Sequence, residues 1–484
     1  MNRLLVSAAH KSSGKTTVTL GLCAALRRRG QVVQPFKKGP DYIDPMWLAA
    51  ASGRDCHNLD FYLMTDREIL ATVGRRAAGS DLSLIEGNKG LYDGLDLEGS
   101  NSNAALARLL DAPVVLVIDA RGMTRGIAPL ILGYQAFDRA VRIAGVILNQ
   151  LGGSRHEAKL RAVIEHYTDV PVLGAVHHDD RLTIVERHLG LVPSNEAREP
   201  RERIESIAKV IADSVDLDRV IDVARAAPPL PRASSRDDET DSLQGTREGP
   251  PASGGPHPSR EREHPPVRLG VARDAAFAFY YPGDLEALRG AGAELVRIDT
   301  LRDAHLPDVD GLFIGGGFPE VQMEALEDNV SLRREIRDAI EHGLPVYAEC
   351  GGLMYLSRSI AWKGRRCEMV GAIPADTVMH DRPQGRGYVL LRDTGENPWV
   401  GSIGEVRAHE FHYSGLENVD PGLTYAYEVL RGSGVDGKRD GIVYRNVLAC
   451  YAHMRHLESN PWATRFVDFI RAKRKDRATR LAAP

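Results

Sequence analysis

The sequence predicts an α/β protein made of two doubly wound domains with mostly parallel sheets, joined by a disordered linker. Short β-branched runs alternate with helical stretches in both halves of the 484-residue chain, the pattern of parallel sheets. A chain of this length also exceeds one ordinary core of about 100–200 residues. Between the halves lies a stretch rich in proline, glycine, serine and charge, which offers almost nothing to bury.

The change to a composition rich in proline, glycine, serine and charge indicates where the domains end. We predict an N-terminal domain over residues 1–225, a flexible linker over 226–266 and a C-terminal domain over 267–484. The expected N-terminal strands are RLLVSAA, QVVQPFK, LSLIEG, APVVLVIDA, VRIAGVILN and VPVLGAV. The C-terminal domain is expected to open with PVRLGVARD, followed by a helix over 284–291 and the strands AELVRID, DGLFIGG and LPVYAEC.

Bulk properties exclude several classes of function. The net charge of −4 gives no field that would attract nucleic acid. No apolar stretch reaches the roughly 18–20 residues that span a bilayer, so no membrane partner is expected. The 5 cysteines form no CxxC pair, which argues against a zinc site and favours the reducing cytoplasm.

A phosphate-binding loop follows the first predicted strand. The segment HKSSGKTT opens a helix, as a P-loop requires, with Ala9 at the position of the usual first glycine. Gly14 lets the backbone close on a phosphate, Lys15 reaches the β and γ phosphates, and Thr16 can ligate Mg²⁺. A glycine-rich turn that only caps a helix is the plainer alternative. The predicted ATP-binding residues are Ser12, Ser13, Gly14, Lys15, Thr16, Thr17 and Asn149, the last a candidate for reading the adenine edge.

Carboxylates at the ends of other strands complete this site. Glu86 closes LSLIEG, and Asp41 and Asp44 lie in KKGPDYIDP. Ligands bind at the carboxyl edge of a parallel sheet, and Mg²⁺ prefers oxygen ligands. The predicted magnesium ligands are Thr16, Asp41 and Glu86. For Asp44, which precedes a proline, a helix cap is an equally good interpretation.

A cysteine nucleophile is predicted in the C-terminal domain. Cys350 stands between the strand PVYAE and a helix, on a turn that Gly351 and Gly352 allow to be sharp. Such an elbow exposes the thiol and places amides around it as an oxyanion hole. The expected donors are Gly316, Gly317 and Gly351, and a histidine is needed to activate the thiol: His453, with His456 a close competitor. An inert buried thiol is the alternative.

Ten segments together resemble the cobyrinate a,c-diamide synthase family. They are AHKSSGKTTVTLGL, PFKKGPDYIDP, EGNKGLYDG, RHEAKLR, ERHLGL, VARDAAFAFYYP, GLFIGGGFPE, YAECGGLMYL, AHEFHYS and YAHMRH with the following SNP. The resemblance implies an N-terminal domain similar to dethiobiotin synthetase and a C-terminal class I glutamine amidotransferase. It implies Cys350 as nucleophile and His453 as its histidine. Arg455 occupies the position where other triads carry a glutamate.

The implied reaction is ATP- and glutamine-dependent amidation of the a and c acetate side chains of a tetrapyrrole, with ATP and Mg²⁺ as cofactors. Tyr42, Asp44 and Lys89 are the predicted substrate contacts, and a homodimer is expected. Lys11, Asn88, Lys89 and Arg455 replace residues that are apolar in many members. These replacements favour an alternative substrate, sirohydrochlorin or sirohaem, which we expect to be accepted at least as well as cobyrinic acid. A P-loop regulatory ATPase with a non-catalytic glutaminase-like module is the second alternative.

Overall fold

The computed structural model describes residues 1–182, 186–187, 190–191, 193–195, 200–231, 266–399 and 401–482. Two α/β units with central sheets pack against each other in this part of the chain, which confirms the predicted fold class. Most of the predicted linker lies outside the described residues. At its start, the carbonyls of Pro228 and Pro229 accept hydrogen bonds from Arg3, so these prolines pack on the N-terminal unit. The exact domain limits remain predictions.

The described elements of the N-terminal unit alternate between strand and helix. The strands are β1 (Arg3–Ala8), β2 (Val33–Lys38), β3 (His57–Leu59), β4 (Leu82–Glu86), β5 (Val114–Asp119), β6 (Ile143–Leu151), β7 (Val172–His177), β8 (Glu186–Arg187) and β9 (Gly190–Leu191). The helices are α1 (Lys15–Arg28), α2 (Ile43–Ser52), α3 (Asp66–Arg76), α4 (Asn103–Leu109), α5 (Ile127–Phe137), α6 (Ser154–Tyr167), α7 (Pro200–Ser214) and α8 (Leu217–Arg225).

Strands β1 to β7 form one parallel sheet in the order β3-β2-β4-β1-β5-β6-β7. Its two faces are both buried: Leu4 and Val6 of β1 pack in one apolar cluster and Leu5 in the other. This is the period of two that a strand imposes on its side chains. All six strands expected in this domain are present, whereas β3 was not expected. The parallel arrangement brings the carboxyl ends of β1, β2, β4 and β6 to the same sheet edge.

The C-terminal unit has more strands than the sequence predicted. They are β10 (Val267–Ala272), β11 (Phe277–Phe279), β12 (Ala293–Ile298), β13 (Gly311–Ile314), β14 (Gly316–Gly317), β15 (Val346–Glu349), β16 (Ser359–Trp362), β17 (Arg365–Glu368), β18 (Asp376–Met379), β19 (Gly385–Asp393), β20 (Glu405–His412), β21 (Ser414–Glu417), β22 (Thr424–Arg431), β23 (Arg439–Tyr444) and β24 (Val447–Cys450). The described helices are α9 (Pro282–Gly290), α10 (Met323–Asp328), α11 (Val330–Glu341), α12 (Gly351–Leu356) and α13 (Trp462–Ala482).

The main sheet of this unit has the order β12-β10-β13-β15-β24-β23-β22-β19-β20. The part from β12 to β24 is parallel, as expected, and contains the four strands that the sequence predicted. The part from β24 to β20 is antiparallel, and a smaller sheet of order β17-β16-β18-β21 lies apart from it. Neither was predicted. The expected helix over 284–291 corresponds to α9.

The two units contact each other through buried polar and apolar groups. Tyr388 donates its hydroxyl hydrogen to Asp60 at 3.0 Å, and the Arg76 guanidinium pairs with Glu286. Phe279 and Phe318 of the C-terminal unit belong to an apolar cluster made mostly of N-terminal side chains. None of the described helices combines the length and apolar character needed to cross a membrane.

Candidate active site

The P-loop connects β1 to α1 and has the backbone that a phosphate cradle needs. Ser12 and Gly14 have φ angles of 64° and 86°, in the left-handed region. A Cβ at Gly14 would lie 2.2 Å from Nδ2 of Asn149, so only glycine fits there. Lys15 begins α1 and is 8% exposed. The loop therefore presents the amides of the α1 N-terminus at the sheet edge.

The other predicted nucleotide contacts lie around this loop. Ser13 is buried and donates its hydroxyl hydrogen to the carbonyl of His10 at 2.8 Å, while Thr16 and Thr17 occupy the first turn of α1. The Asn149 side chain donates from Nδ2 to the carbonyl of Ser13 at 2.9 Å. This contact braces the loop, and the role of Asn149 in reading adenine stays a prediction.

A buried lysine organises the carboxylates behind the loop. Nζ of Lys37 lies 2.5 Å from Oδ2 of Asp44, 2.8 Å from Oε1 of Glu86 and 3.7 Å from Oδ2 of Asp41. The Thr16 hydroxyl donates to Glu86 at 2.6 Å. Asp41 accepts the backbone N–H groups of Ile43 and Asp44 and so caps α2. Asp44, predicted as a substrate contact, lies 3.3 Å from the Thr16 hydroxyl through its Oδ2.

Burial and close charges shift the pKa values of this cluster. Burial, with Asp44 nearby, raises the pKa of Asp41 to about 7, and burial also raises the pKa of Glu86. Burial acts in the same direction on Asp44, but Lys37 holds the pKa of Asp44 below its usual range. Burial, then Lys37, lowers the pKa of Lys15. Such opposed shifts are typical of functional sites.

The oxygens at this edge fit a magnesium ion that also binds phosphates. Oε2 of Glu86 is buried and has no hydrogen-bond partner among the described residues. The described chain contains no group of three or more His, Cys, Asp or Glu side chains arranged to hold a metal. Mg²⁺ usually takes one or two carboxylates and completes its shell with phosphate oxygens and water. The predicted ligands Thr16 and Glu86 suit that arrangement, and Asp44 lies beside them. The role of Asp41 as a ligand stays a prediction.

Cys350 lies on a strained turn between β15 and α12. Its φ and ψ angles are 48° and −102°, outside the common regions for a side-chain-bearing residue. The adjoining glycines are required by space, since a Cβ at Gly352 would lie 2.1 Å from the carbonyl oxygen of Ile314. The backbone N–H of Cys350 already donates a hydrogen bond to the carbonyl of Cys450 at 2.7 Å. Oxyanion donors must therefore come from neighbouring residues.

The three glycines predicted as oxyanion donors surround the thiol. A Cβ at Gly351 would lie 3.0 Å from the backbone nitrogen of Gly317, and one at Gly316 would lie 2.6 Å from Cε1 of His453. Gly317 and Cys350 line the same cavity. The geometry brings these residues together, and their role as donors stays a prediction.

His453, which follows β24, is the histidine beside the nucleophile. Burial acts to lower its pKa, but interactions with Cys350 and Glu349 raise the pKa of His453 to about 10. Its Nδ1 lies 3.6 Å from Oε2 of Glu349, and both side chains are 3% exposed. The sequence did not single out Glu349, although a glutamate directly before the nucleophile, in a strand that is otherwise apolar, is an unusual feature.

The second histidine and Arg455 have other surroundings. The N–H of His456 donates to Asp284 at 2.9 Å, and its Nδ1 accepts the N–H of Ala463 at 3.2 Å. Burial lowers the pKa of His456. Arg455 is 8% exposed, and its Nη2 donates to the carbonyl of Asn58 at 2.7 Å. Arg455, one of the replacements that favoured an alternative substrate, is a buried contact between the two units.

Tyr42 connects the two sites. Its ring centroid lies 5.1 Å from that of His453, 4.7 Å from that of Tyr281 and 5.4 Å from that of Phe279. A cavity of about 180 Å³ extends past it and is lined by both Cys350 and Asp41. Lys89, the third predicted substrate contact, lines a different cavity between the two units and has a positive φ of 41°.

Two family models match the chain: an AAA domain over residues 2–185 and a CobB/CobQ-like glutamine amidotransferase domain over residues 268–461. Several relatives are similar over nearly the full length. A cobyrinate a,c-diamide synthase of Magnetococcus marinus is 47% identical, with 97% of each chain covered. One of Archaeoglobus fulgidus is 41% identical, with 96% of each chain covered. One of Methanosarcina acetivorans is 40% identical, covering 99% of this chain and 97% of the relative.

Proposed function

The chain belongs to the cobyrinate a,c-diamide synthase family, and from this membership we propose that it uses ATP and glutamine to amidate the a and c acetate side chains of a tetrapyrrole of the cobyrinate or hydrogenobyrinate type. The protein is then an ATP-dependent carbon–nitrogen ligase with glutamine as amido donor. The observation that carries the proposal is the meeting of a P-loop site and a cysteine–histidine site on either side of Tyr42.

Glutamine hydrolysis is assigned to Cys350 and His453. His453 takes the thiol proton, and the Cys350 sulfur attacks the glutamine carboxamide. The amides of Gly317 and Gly351 stabilise the oxyanion of the tetrahedral intermediate. When that intermediate collapses, His453 returns the proton to the leaving nitrogen, and ammonia departs. Water then hydrolyses the glutamyl thioester and releases glutamate.

Carboxylate activation is assigned to the P-loop. A carboxylate is a poor acyl donor, so its oxygen attacks the γ phosphorus of ATP, the bond to ADP breaks and an acyl phosphate forms. Lys15 and the amides at the start of α1 stabilise the charge on the transferred phosphoryl group. Magnesium, held by Thr16, Glu86 and Asp44, would supply further charge neutralisation at the phosphates. Ammonia displaces phosphate from the acyl carbon and yields the amide.

The cavity between the two sites supports this coupling. It reaches from Cys350 to Asp41 and Pro40 on the loop after β2, with Phe279, Met354 and Phe411 among its walls. A cavity whose walls are mainly apolar favours uncharged ammonia over ammonium. Because this cavity extends from Cys350 to Asp41, it offers a route for ammonia from the glutaminase site toward the acyl phosphate.

The alternatives are less well supported. The similar relatives are named for cobyrinate, and none of the replaced residues creates a feature specific to sirohydrochlorin or sirohaem, Arg455 being used between the units. A non-catalytic glutaminase-like module would have no need for the interaction between Cys350 and His453. A homodimer stays a proposal: β12 and β20 leave open edges on the main sheet of the C-terminal unit, and light scattering would measure the assembly.

The direct test is product analysis by mass spectrometry. Purified protein with ATP, Mg²⁺ and glutamine is offered cobyrinic acid and, separately, sirohydrochlorin. We expect two amidations on cobyrinic acid, confined to the acetates, and less turnover of sirohydrochlorin. Greater turnover of sirohydrochlorin would reverse the order of the two substrates, and failure to amidate either ring would refute the proposed function.

A further inference from the structure

A second cavity, of about 550 Å³, is walled by both units and includes the loop that follows β4. The N-terminal unit contributes Lys38 from the end of β2, and Asn88 and Lys89 from the loop that follows β4. The C-terminal unit contributes Arg386 at the start of β19 and Arg431 at the end of β22. The volume is in the usual range for a small-molecule site. The antiparallel extension of the C-terminal sheet thus reaches the ATP half of the protein.

Two cations of this cavity rest on aromatic rings: the guanidinium carbon of Arg386 lies 5.2 Å from the ring centroid of Phe411, and that of Arg431 lies 5.6 Å from the ring centroid of Tyr62. Within the described residues, Lys38, Lys89, Arg386 and Arg431 form no ion pair with a carboxylate. Lys38 is 5% exposed, and its Nζ donates to Asn88 at 3.1 Å. Burial lowers its pKa to about 8. Lys89 and both arginines are exposed at the rim.

The two acidic side chains of the wall, Asp93 and Glu410, accept hydrogen bonds from backbone N–H groups. Asp93 accepts the N–H of Gly90 at 2.8 Å. Glu410 accepts the N–H groups of Ser433 and Gly434 at 2.7 and 2.9 Å. With Lys38, Lys89, Arg386 and Arg431 against these two acids, the cavity still has an excess of positive charge for a ligand with several carboxylates.

The cavity also lies between the two reactive centres. Pro40, His409 and Phe411 line both this cavity and the smaller one that contains Cys350. Asp93, on the opposite wall, is close enough to Lys15 to influence its protonation. A ligand held here has one side toward the P-loop and the other toward the source of ammonia.

We propose that this cavity binds the polycarboxylate acceptor and that Arg386 and Arg431 of the glutaminase unit hold carboxylates of the ring that are not reacting. The inference rests on the proposed function. It makes the acceptor site a composite of both units, with Lys38 and Lys89 on the ATP side. Glutamine hydrolysis and ATP binding do not require the two arginines, so only acceptor recognition depends on them.

The test is a kinetic comparison of Arg386→Ala, Arg431→Ala and the double variant with wild type. Loss of one charge-assisted hydrogen bond should raise the KM for cobyrinic acid about tenfold per arginine. Glutamine hydrolysis and the KM for ATP should not change. Arg392→Ala is the matched control, because Arg392 lies on the same strand but pairs with Glu405 and Glu428.

The outcomes separate the inference from the proposed function. If wild-type protein amidates cobyrinic acid and the double variant has an unchanged KM, the composite acceptor site is wrong. A rise in KM for Arg392→Ala equal to that of the other variants would also overturn it. If wild-type protein amidates no tetrapyrrole, the proposed function itself fails.

A different observation concerns Glu349 and the glutaminase histidine. Nδ1 of His453 has no hydrogen-bond partner in the described part of the chain and faces Oε2 of Glu349. Oε1 of Glu349 is fixed by the Tyr347 hydroxyl at 2.6 Å and the Met454 N–H at 2.9 Å. A buried carboxylate held in this way can orient an imidazole and stabilise its protonated form.

We infer that Glu349 is the positioning residue of this site, in the role that other triads give to an acid two residues after the histidine. Arg455 occupies that position here and is turned toward Asn58. Glu349 reaches the same ring from the residue before the nucleophile. When His453 takes the thiol proton, the carboxylate on its far side favours the resulting imidazolium.

The test is Glu349→Gln, which keeps an oxygen for Tyr347 and Met454 but removes the charge. We expect glutamine-dependent kcat/KM to fall on the order of 10²–10⁴-fold, with synthesis from high ammonium retained. The alkaline limb of the glutaminase pH profile should move to lower pH because the imidazolium loses its partner. Glu349→Asp should recover part of the rate.

Asp376→Asn controls for the loss of a buried carboxylate, since Asp376 pairs with Arg358 and Arg366 in the smaller sheet. It should leave the pH profile of glutamine hydrolysis unchanged. An unaltered profile in Glu349→Gln, or an equal loss of ammonium-driven synthesis, would show that Glu349 only supports the fold and would overturn the inference.

Discussion

Lys37 offers the sharpest test of the carboxylate cluster behind the P-loop. Its two short contacts, 2.5 Å to Asp44 and 2.8 Å to Glu86, each correspond to a gross attraction of about 6 kcal/mol at an effective dielectric constant of about 20. Desolvation of the lysine cancels much of this. Breaking a buried pair from one side usually costs about 3–5 kcal/mol, because the remaining charges lack compensation.

Lys37→Met should therefore lower the free energy of unfolding by about 3–5 kcal/mol. For a unit of roughly 150–250 residues this is a fall in Tm of about 6–20 °C, measurable by thermal unfolding. Arg29→Met is the matched control: its partner is Asp218 at 3.0 Å, but the two side chains are 45% and 80% exposed. Such a surface pair contributes less than about 1 kcal/mol.

The loss in Lys37→Met should depend on pH. Burial already raises the pKa of Glu86 and that of Asp41, the latter to about 7, and removal of the lysine raises both further. A carboxyl group whose folded pKa exceeds its unfolded value of about 4 favours folding at low pH and loses that contribution as pH rises through the folded pKa. The variant should be closest to wild type near pH 5 and least stable near pH 8. Equal Tm losses for Lys37→Met and Arg29→Met, or a loss that does not vary with pH, would refute the reasoning.

Three further substitutions separate the two half-reactions. Cys350→Ala should abolish glutamine-dependent synthesis and leave ammonium-driven synthesis largely intact; a loss of both would contradict the nucleophile's role. Lys15→Ala should remove several kcal/mol of transition-state stabilisation and stop synthesis with either nitrogen source, as measured by ADP release with high ammonium; full activity there would exclude the P-loop as the ATP site. His453→Ala should reduce glutamate release far more than His456→Ala, because only His453 lies beside the thiol; the reverse ranking would reassign the base.

Much of the site could be predicted because its residues follow strands. A parallel sheet brings the carboxyl ends of its strands to one edge, so a P-loop after β1 and Glu86 at the end of β4 had to be neighbours. The same holds for Cys350 after β15 and His453 after β24 in the other sheet. Local sequence sufficed for the elbow, since the glycines after Cys350 are required by the carbonyl of Ile314.

The parts that could not be predicted depend on contacts between distant segments. In the segment PFKKGP, Lys37 resembles an ordinary surface lysine, because its partners Glu86 and Asp44 are identified only by the fold. Its position inside a predicted buried strand could have indicated an ion pair, because buried lysines are almost always paired. Arg455 donates to the Asn58 carbonyl because of how the two units dock. The pattern of residues within one segment holds no information about that docking.

The antiparallel extension of the C-terminal sheet was missed for another reason. Strands β19, β20 and β22 mix charged and apolar residues in the alternation of a sheet with one exposed face. Continuous β-branched runs are the signature of buried parallel strands, and these three strands lack such runs. Arg386 and Arg431 at the composite cavity belong to this extension, so no local pattern connects them with the ATP half.

The position of Tyr42 has a thermodynamic consequence. Tyr42 directly precedes α2, whose first amides are bound by Asp41, and its ring centroid lies 5.1 Å from that of His453. Any shift of the ring that nucleotide binding produces changes the packing around the glutaminase histidine. Linkage is reciprocal, so a nucleotide that alters glutamine affinity through Tyr42 must have its own affinity altered by glutamine by the same factor. A single side chain can thus couple the binding of glutamine to the binding of ATP.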